Sequence, residues 1–277
     1  MKKQLFVLGG NDGEMQAIKG LLTAFGHAWA QPQIGWGEHF YVPAELGLEI
    51  IDVQIPVGDN GHGTVYRAGK TCQGIDEVIF VECSPKDFPA DQAVMVIDHH
   101  NDRSGEPAAI RQMVEKLNIW SRLSSLTQRW VELVAANDSG YIPAMLALGA
   151  TSKEIARVRL SDRNAQGITS EQEVEAERAV VGAEVVGKLT IVRMAHSKTA
   201  TVADRLFGKA DQLLILSGDG EVNFFGNGAI CSELKAKFEG WGGGSGFGKS
   251  DGIGYWGGCP NFDEVLSFVK SKVNPSE

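Results

Sequence analysis

The 277-residue sequence lacks long apolar runs, has few cysteines and carries no excess of basic residues. It contains no stretch of about 18 consecutive apolar residues, which excludes an ordinary membrane-spanning helix. Its four cysteines, at positions 72, 83, 231 and 259, show no CxxC spacing, so that neither a disulfide framework nor a zinc knuckle is indicated. The apolar stretch 4–8 is too short for the core of a secretory signal, and we interpret it as a first strand. We therefore expect a cytoplasmic protein with reduced thiols.

Acidic residues outnumber basic ones, and the formal net charge is −9. A chain of this charge does not attract duplex DNA through bulk electrostatics. Contact with phosphate groups would therefore require a local site or a bound cation. Hydrophobic residues make up 43% of the chain and charged residues 22%, which is typical of a packed protein and excludes a disordered one.

Apolar segments and helix-like segments alternate through the first half of the sequence. Four segments are strand-like: 4–8, 48–55, 77–81 and 93–97. Four others have the apolar spacing of helices: 14–25, 108–119, 123–136 and 152–160. The continuous apolar runs favour parallel strands buried on both faces. The alternation predicts an α/β fold with a doubly wound, mostly parallel sheet.

The pattern changes between residues 165 and 200. Residues 170–196 are predicted to form one long polar-faced helix, which begins with a capping box between Ser170 and Glu173. A strand hairpin, a helix, a glycine-rich stretch and a last helix follow, over 212–225, 230–238, 240–258 and 262–273. We therefore predict three parts: an α/β domain over 1–165, a helical linker over 166–200 and a smaller α+β domain over 201–277.

The strongest chemical signal is the segment VMVIDHHND at residues 94–102. An apolar strand ends there in Asp98, His99 and His100, and open α/β sheets bind ligands at the carboxyl ends of their strands. A carboxylate and two imidazoles at that edge are typical of a metal or phosphate site, with a surface turn as the alternative. These three residues are the first candidates for catalysis.

Carboxylates also follow other apolar segments. Asp12 and Glu14 follow the first strand, Glu82 ends the run EVIFVE, and Asp138 follows an apolar helix in AANDSGY. Each of them taken alone is more often a helix cap or part of an Asx turn. Together with the acid and the imidazole of the DHH segment, they form a ligand set that favours Mn²⁺, with Mg²⁺, Fe²⁺ or Co²⁺ as lesser options.

The order of these motifs resembles the DHH phosphoesterase superfamily. In that superfamily a strand with a DxD turn, a strand-terminal acid, the DHH triplet and a later Asp build a two-metal site. The matching segments here are NDGE, VECS, VIDHH and ANDSG, and the resemblance covers nearly the whole chain. It implies a catalytic domain over 1–165, a substrate-binding domain over 201–277, and the metal ligands Asp12, Glu14, Glu82, Asp98, His99 and Asp138.

The resemblance also implies roles for single residues. Two cations would share Glu82, Asp98 would orient the histidines or touch a metal, and His100 would stabilise the transferred phosphate or assist the leaving oxygen. Leu8 stands where many relatives have a His or Asp ligand, so that one metal site is short of a protein ligand. Asn11, a water or a substrate oxygen would fill that vacancy, or the second metal is absent.

A glycine-rich segment, GGSGFGKS, occupies residues 243–250. It matches the P-loop pattern formally, but a helical segment precedes it and the following DGIGYWGG does not propagate a helix. It is similar to the glycine-rich motif of the superfamily's substrate-binding domain. We interpret it as a cradle for an anionic substrate, with a structural loop as the alternative. The candidate substrate-binding residues are Arg103, which could hold a phosphate, and Gly243, Gly244, Ser245, Gly246 and Lys249.

The resemblance implies a metal-dependent phosphohydrolase with one or two Mn²⁺ ions. We favour a phosphodiesterase for short oligonucleotides or dinucleotides, because two-domain relatives cleave such substrates and the acidic composition favours a small one. A phosphoanhydride or phosphomonoester hydrolase stays open, as does a catalytically weak nucleotide-binding sensor. The expected partner is a small phosphate compound or a short single-stranded nucleic acid, without duplex DNA or a membrane. A homodimer is left open.

Overall fold

The computed structural model describes residues 3–31, 39–41, 53–57, 61–65, 75–86 and 93–274. The chain forms two compact units, Met1–Gly167 and Ile168–Glu277. In the part of the chain that the structure describes, no helix is both long and apolar enough to cross a membrane.

Strands and helices alternate along the first unit. Its strands are β1 (Gln4–Leu8), β2 (Ala28–Ala30), β3 (His39–Tyr41), β4 (Val53–Val57), β5 (Gly61–Val65), β6 (Glu77–Val81), β7 (Ser84–Lys86) and β8 (Val94–Ile97). Its helices are α1 (Gly13–Ala24), α2 (Ala109–Lys116), α3 (Ser125–Ala147) and α4 (Ser152–Ala165). The strand predicted over 48–55 lies largely outside the described residues, and only 53–55 fall within β4.

A four-stranded parallel sheet, in the order β2-β1-β6-β8, forms the centre of the first unit. Helices α1, α2 and α3 pack on the sheet face that presents Phe6 and Leu8. The opposite face, which includes Leu5, Val7 and Phe80, is buried as well. The parallel sheet with two buried faces confirms the α/β prediction, while the doubly wound arrangement stays a prediction. Because the strands are parallel, their carboxyl ends lie at one edge of the sheet.

Helix α3 bends two residues after Asp138. Gly140 and Tyr141 leave the helical region of backbone angles, and Tyr141 has φ 57° and ψ −150°. This conformation costs about 1–3 kcal/mol in a residue with a side chain. Pro143 follows and has no N–H to donate to the carbonyl of Ser139, one turn back. The helix predicted over 123–136 therefore continues through the bend to Ala147.

The second unit contains one six-stranded mixed sheet, in the order β13-β14-β12-β11-β10-β9. The strands are β9 (Glu184–Val186), β10 (Leu189–Met194), β11 (Gln212–Ser217), β12 (Val222–Asn227), β13 (Trp241–Gly243) and β14 (Ile253–Gly258). The helices are α5 (Ser170–Val181), α6 (Ala200–Leu206), α7 (Gly228–Phe238) and α8 (Phe262–Val273). One apolar cluster, around Trp256, packs against α7 and α8, and another, around Val192, packs against α5 and α6.

The prediction of one long helix over 170–196 is wrong. Helix α5 ends at Val181, and the residues beyond it form β9 and β10. The capping box is also one residue earlier, between Thr169 and Gln172. Thr190, Ile191 and Val192 are β-branched and favour the strand, and all three are buried in the sheet of the second unit. The segment assigned to a helical linker therefore supplies two strands.

Candidate metal centre

Four side chains from four separate segments converge at the carboxyl edge of the parallel sheet. Glu82 directly follows β6, His99 follows β8, Glu14 lies in the first turn of α1, and Asp138 precedes the bend of α3. One ligand atom from each of them lies within 4.8 Å of the others. We call these four residues the acidic cluster.

His99 lies between two carboxylates of the cluster. Its Nε2 is 2.6 Å from Asp138 Oδ2 and 3.1 Å from Glu82 Oε1. The side chain of His99 is 8% exposed and that of Glu82 is 3% exposed, so that little water solvates these charges. Glu14 is anchored by its Oε1 atom, which accepts a hydrogen bond from the backbone N–H of Ile110 at 2.9 Å. The N-terminus of α2 thus helps to hold this carboxylate.

The backbone at Glu82 is also special. Its φ of 54° is left-handed, which costs a residue with a side chain about 1–2 kcal/mol. The N–H of Gly9 donates to the Val81 carbonyl at 2.8 Å, and a side chain at Gly9 would come within 2.6 Å of the Glu82 carbonyl oxygen. This close approach requires glycine at position 9.

The donor atoms of the acidic cluster fit a divalent cation. Among the described residues, five buried atoms of the cluster have no hydrogen-bond partner: Glu14 Oε2, Glu82 Oε1, Glu82 Oε2, His99 Nε2 and Asp138 Oδ2. The short contacts of His99 lack the direction of hydrogen bonds. Buried carboxylates without partners are costly, and a cation would neutralise them. Three carboxylates and one imidazole suit a first-row divalent metal.

Burial and mutual repulsion shift the pKa values of the cluster. Burial, and then the charges of Asp138 and Glu82, raise the pKa of Glu14 well above its ordinary value. Burial also raises the pKa of Asp138, although His99 opposes the shift. The close carboxylates of Asp138 and then Glu82 raise the pKa of His99 to about 10. Without a cation, the cluster therefore retains protons that metal binding would displace.

Asp12 is a helix cap at the border of the cluster. Its carboxylate accepts the backbone N–H of Met15 at 2.8 Å at the start of α1. Burial raises the pKa of Asp12 to about 7, although the hydrogen bond from Met15 lowers it. Asp12 is not one of the four residues whose ligand atoms converge, and its role as a ligand stays a prediction.

Asp98 contacts His100 rather than the acidic cluster. Its Oδ1 accepts the backbone N–H of His100 at 3.0 Å and lies 2.9 Å from Nδ1 of the same residue. Although burial raises the pKa of Asp98, these contacts keep it below its usual value. His100 is half exposed, and a ligand nitrogen of its ring lies within 4.8 Å of ligand atoms of Glu82 and His99. Asp98 is thus placed to orient His100.

Leu8, which occupies the position of the missing ligand, and Asn11, which was considered to replace that ligand, both have other contacts. Leu8 is fully buried in the apolar core of the first unit. The amide of Asn11 donates to the carbonyl of Ala165 and accepts from the side chain of Gln16, both at 2.6 Å. Both amide groups of Asn11 are therefore engaged in the fold.

The predicted substrate-binding residues lie outside the cluster. Arg103 is exposed and donates to the carbonyl of Val96 at 2.9 Å. The glycine-rich segment belongs to the second unit, where the backbone N–H groups of residues 246–249 all donate to backbone carbonyls. Lys249 donates its Nζ to the carbonyl of Ser245 at 3.0 Å. These four N–H groups are therefore engaged within the fold, and the substrate-binding roles of the segment stay predictions.

Arg159 and Asp162, both on α4, were missed by the sequence analysis. They are buried, and Arg159 Nη1 lies 2.6 Å from Asp162 Oδ2. Asp162 Oδ1 also accepts the N–H of Gly13 at 3.0 Å, directly beside Glu14. An acid and a base three residues apart in a polar helix are most often a solvated pair, so nothing in the sequence pattern marks these two.

No family model and no curated protein matches the chain. Among solved structures, the chain is similar to PggH from Vibrio cholerae, a pGpG-specific phosphodiesterase, at 11% identity, with 99% of this chain and 100% of that chain covered and a TM-score of 0.43. An uncharacterized protein from Helicobacter pylori G27 matches at 11% identity, with 98% and 99% covered and a TM-score of 0.22. At TM-scores this low, neither match establishes a shared fold.

Proposed function

We propose that the chain is a divalent-cation-dependent phosphohydrolase and that the acidic cluster is its metal centre. The observation that carries the proposal is the burial of Glu14, Glu82, His99 and Asp138 together, with five potential metal-ligand atoms that have no hydrogen-bond partner among the described residues. Four converging ligand atoms suit one cation, and the mixture of imidazole and carboxylates favours Mn²⁺. A second cation, with Glu82 as the bridging ligand, rests on the sequence resemblance alone.

Two strands and two helices of the first unit would position the ligands of this centre. Glu82 and His99, at strand ends, and Glu14 and Asp138, on helices, would hold the cation. A bound cation would supply Lewis-acid polarisation of a phosphoryl oxygen and would make a water more acidic. Asp98 fixes the ring of His100 through Nδ1, which leaves Nε2 to exchange a proton with the leaving oxygen of the substrate.

We assign the substrate to the phosphodiesters of short oligonucleotides or dinucleotides. The net charge of −9 supports a small substrate, because a long nucleic acid is held mainly by basic surface. The resemblance of the motifs to DHH phosphoesterases with two domains supports the phosphodiester class.

The test is hydrolysis by the purified chain with Mn²⁺. The panel contains pGpG (the dinucleotide named for the Vibrio protein), a short RNA, single-stranded DNA and pyrophosphate. We expect mononucleotide release that chelator and Glu82→Gln both abolish. Glu115→Gln, which changes an exposed acid on α2, is the matched control and should keep full activity.

Three results would count against this proposal. Hydrolysis of pyrophosphate alone would reassign the substrate to phosphoanhydrides. Full activity in chelator, after metal removal has been verified, would contradict the metal centre. Binding of nucleotides without turnover of any substrate would identify a sensor instead of an enzyme.

A further inference from the structure

The bend of α3 needs support from outside the helix. Tyr141 holds a left-handed backbone conformation, and Pro143 interrupts the hydrogen bonds of the helix. Asp138 lies two residues before Gly140, where the bend begins, so the path of the backbone here affects where its carboxylate points. The residues that hold the bend therefore also hold a member of the acidic cluster.

Arg159 contacts one residue before the bend and one residue within it. Its Nη1 donates to Asn137 Oδ1 at 3.0 Å, one residue before Asp138. Its guanidinium carbon lies 4.6 Å from the ring centroid of Tyr141, within the range of a cation–π contact. Arg159 is 7% exposed, so that water screens these contacts little.

Asp162 connects Arg159 to the other helix that carries a member of the cluster. One of its oxygens accepts from Arg159 at 2.6 Å, and the other accepts the N–H of Gly13 at 3.0 Å. A side chain at Gly13 would come within 3.0 Å of the Asp162 backbone, so α4 packs closely against the start of α1. A buried ion pair thus joins the backbone N–H beside Glu14 to the side chain of Asn137, which precedes Asp138.

We propose that Arg159 is a positioning residue that, paired with Asp162, fixes the bend of α3 and the spacing of Asp138 from Glu14. The planar guanidinium donates in several directions and stacks on a ring at the same time, which the ammonium of a lysine does not do. Ligands must be held within about 0.5 Å of their productive positions, so loss of this support would misplace a ligand. The consequence for metal binding rests on the proposed function, whereas the support of the bend does not.

The support of the bend is measured by hydrogen exchange in chelator, on peptides that cover 137–145. The variants are Arg159→Lys and Arg159→Gln. The control is Arg157→Gln, on the same helix, where an exposed guanidinium lies 5.2 Å from the ring centroid of Trp130. We expect exchange at the bend to rise about tenfold in the Arg159 variants and to stay unchanged in the control, since each loses a charged hydrogen bond. Unchanged exchange in both Arg159 variants would overturn the proposal.

The consequence for the cluster is measured by calorimetric titration of the full-length chain with Mn²⁺. We expect Arg159→Lys, when circular dichroism shows it folded, to bind Mn²⁺ about 10–100-fold more weakly than the wild type. Arg157→Gln should bind as the wild type does. Unaltered affinity in the folded Arg159 variants would overturn the positioning role, even if their melting temperatures fall. If the wild type binds no Mn²⁺, the proposed function fails, and the exchange experiment alone decides the role of Arg159.

Discussion

Glu82 is the most constrained residue of the acidic cluster. Its side chain is 3% exposed, its backbone is left-handed, and neither carboxylate oxygen has a hydrogen-bond partner in the part of the chain that the structure describes. Backbone strain and a buried carboxylate without hydrogen bonds oppose folding, and such features gather at functional sites. Selection for stability alone would not place them there, whereas a bound cation would offset their cost.

The same residue types perform different tasks at this edge of the sheet, and the sequence does not distinguish them. Six metal ligands were predicted, and the structure brings together Glu14, Glu82, His99 and Asp138. The two others make local hydrogen bonds, since Asp12 caps α1 and Asp98 contacts His100. A carboxylate after a strand serves equally as a cap or as a ligand, and tertiary packing decides which.

Glu14→Gln tests the repulsion within the cluster. Because burial raises the pKa of Glu14, the folded chain binds its proton more tightly, and this group costs stability as the pH rises above its ordinary value near 4.5. Glutamine removes that cost and keeps an oxygen for the N–H of Ile110. In chelator, we expect the free energy of unfolding of the variant to exceed that of the wild type by about 1–3 kcal/mol at pH 8 and by little at pH 4.5. Thermal melts at both pH values measure the difference. A variant less stable than the wild type at pH 8 would contradict this.

The affinity for Mn²⁺ should rise with pH. The pKa of His99 is raised to about 10 by Asp138 and Glu82. Both ring nitrogens therefore carry a proton at pH 7 in the absence of metal. A protonated imidazole cannot ligate, and the cation must displace this proton and any held by Glu14. We expect about tenfold tighter binding per pH unit for each proton released, between pH 6 and pH 8.5. Calorimetry in buffers of different ionisation enthalpy counts the protons. Affinity that does not change with pH would show that the cation binds elsewhere.

At the scale of elements, local pattern was sufficient where strands are continuous apolar runs. The segments 4–8 and 77–81 coincide with β1 and β6. Pattern failed over 170–196, because the strand β10 is stabilised by pairing with β11, whose partner residues lie 23 positions further along the chain. The β-branched residues of β10 favour a strand, but the helical spacing of apolar residues in the α5 segment extends the predicted helix over them. Long-range pairing overrides helix propensity at such places.

The glycine-rich segment packs backbone against backbone in the second unit. A methyl group at Gly228 would overlap the carbonyl oxygen of Gly246. The two residues cannot separate without breaking the hydrogen bond that the N–H of Gly248 donates to the Gly228 carbonyl. We therefore expect Gly228→Ala to cost about 2 kcal/mol or more. Gly20→Ala, on α1 with open space around it, is the control and should stabilise the chain by up to about 1 kcal/mol. Urea unfolding compares them, and equal stabilities would show that the segment adapts freely.

At the scale of the whole molecule, two compact units each have apolar clusters of their own. All four members of the acidic cluster belong to the first unit. A ligand stabilises the unit that binds it, by about 2.7 kcal/mol at a concentration one hundred times its dissociation constant. Calorimetry of the full chain should therefore show two transitions, of which Mn²⁺ raises only one. Gly228→Ala should lower the other. A Mn²⁺-dependent shift of the transition that Gly228→Ala lowers would contradict this assignment.

The proposed metal centre requires that Glu14, Glu82, His99 and Asp138 bind a divalent cation. Anomalous diffraction at the manganese edge, from crystals of the full chain grown with Mn²⁺, would locate that cation. We expect one strong peak about 2 Å from each of four atoms: Glu14 Oε2, a carboxylate oxygen of Glu82, His99 Nε2 and Asp138 Oδ2. A distance of about 2 Å is the usual bond length between such ligands and a divalent metal. A map at saturating Mn²⁺ in which these four side chains are ordered, but no peak lies between them, would contradict the proposed metal centre.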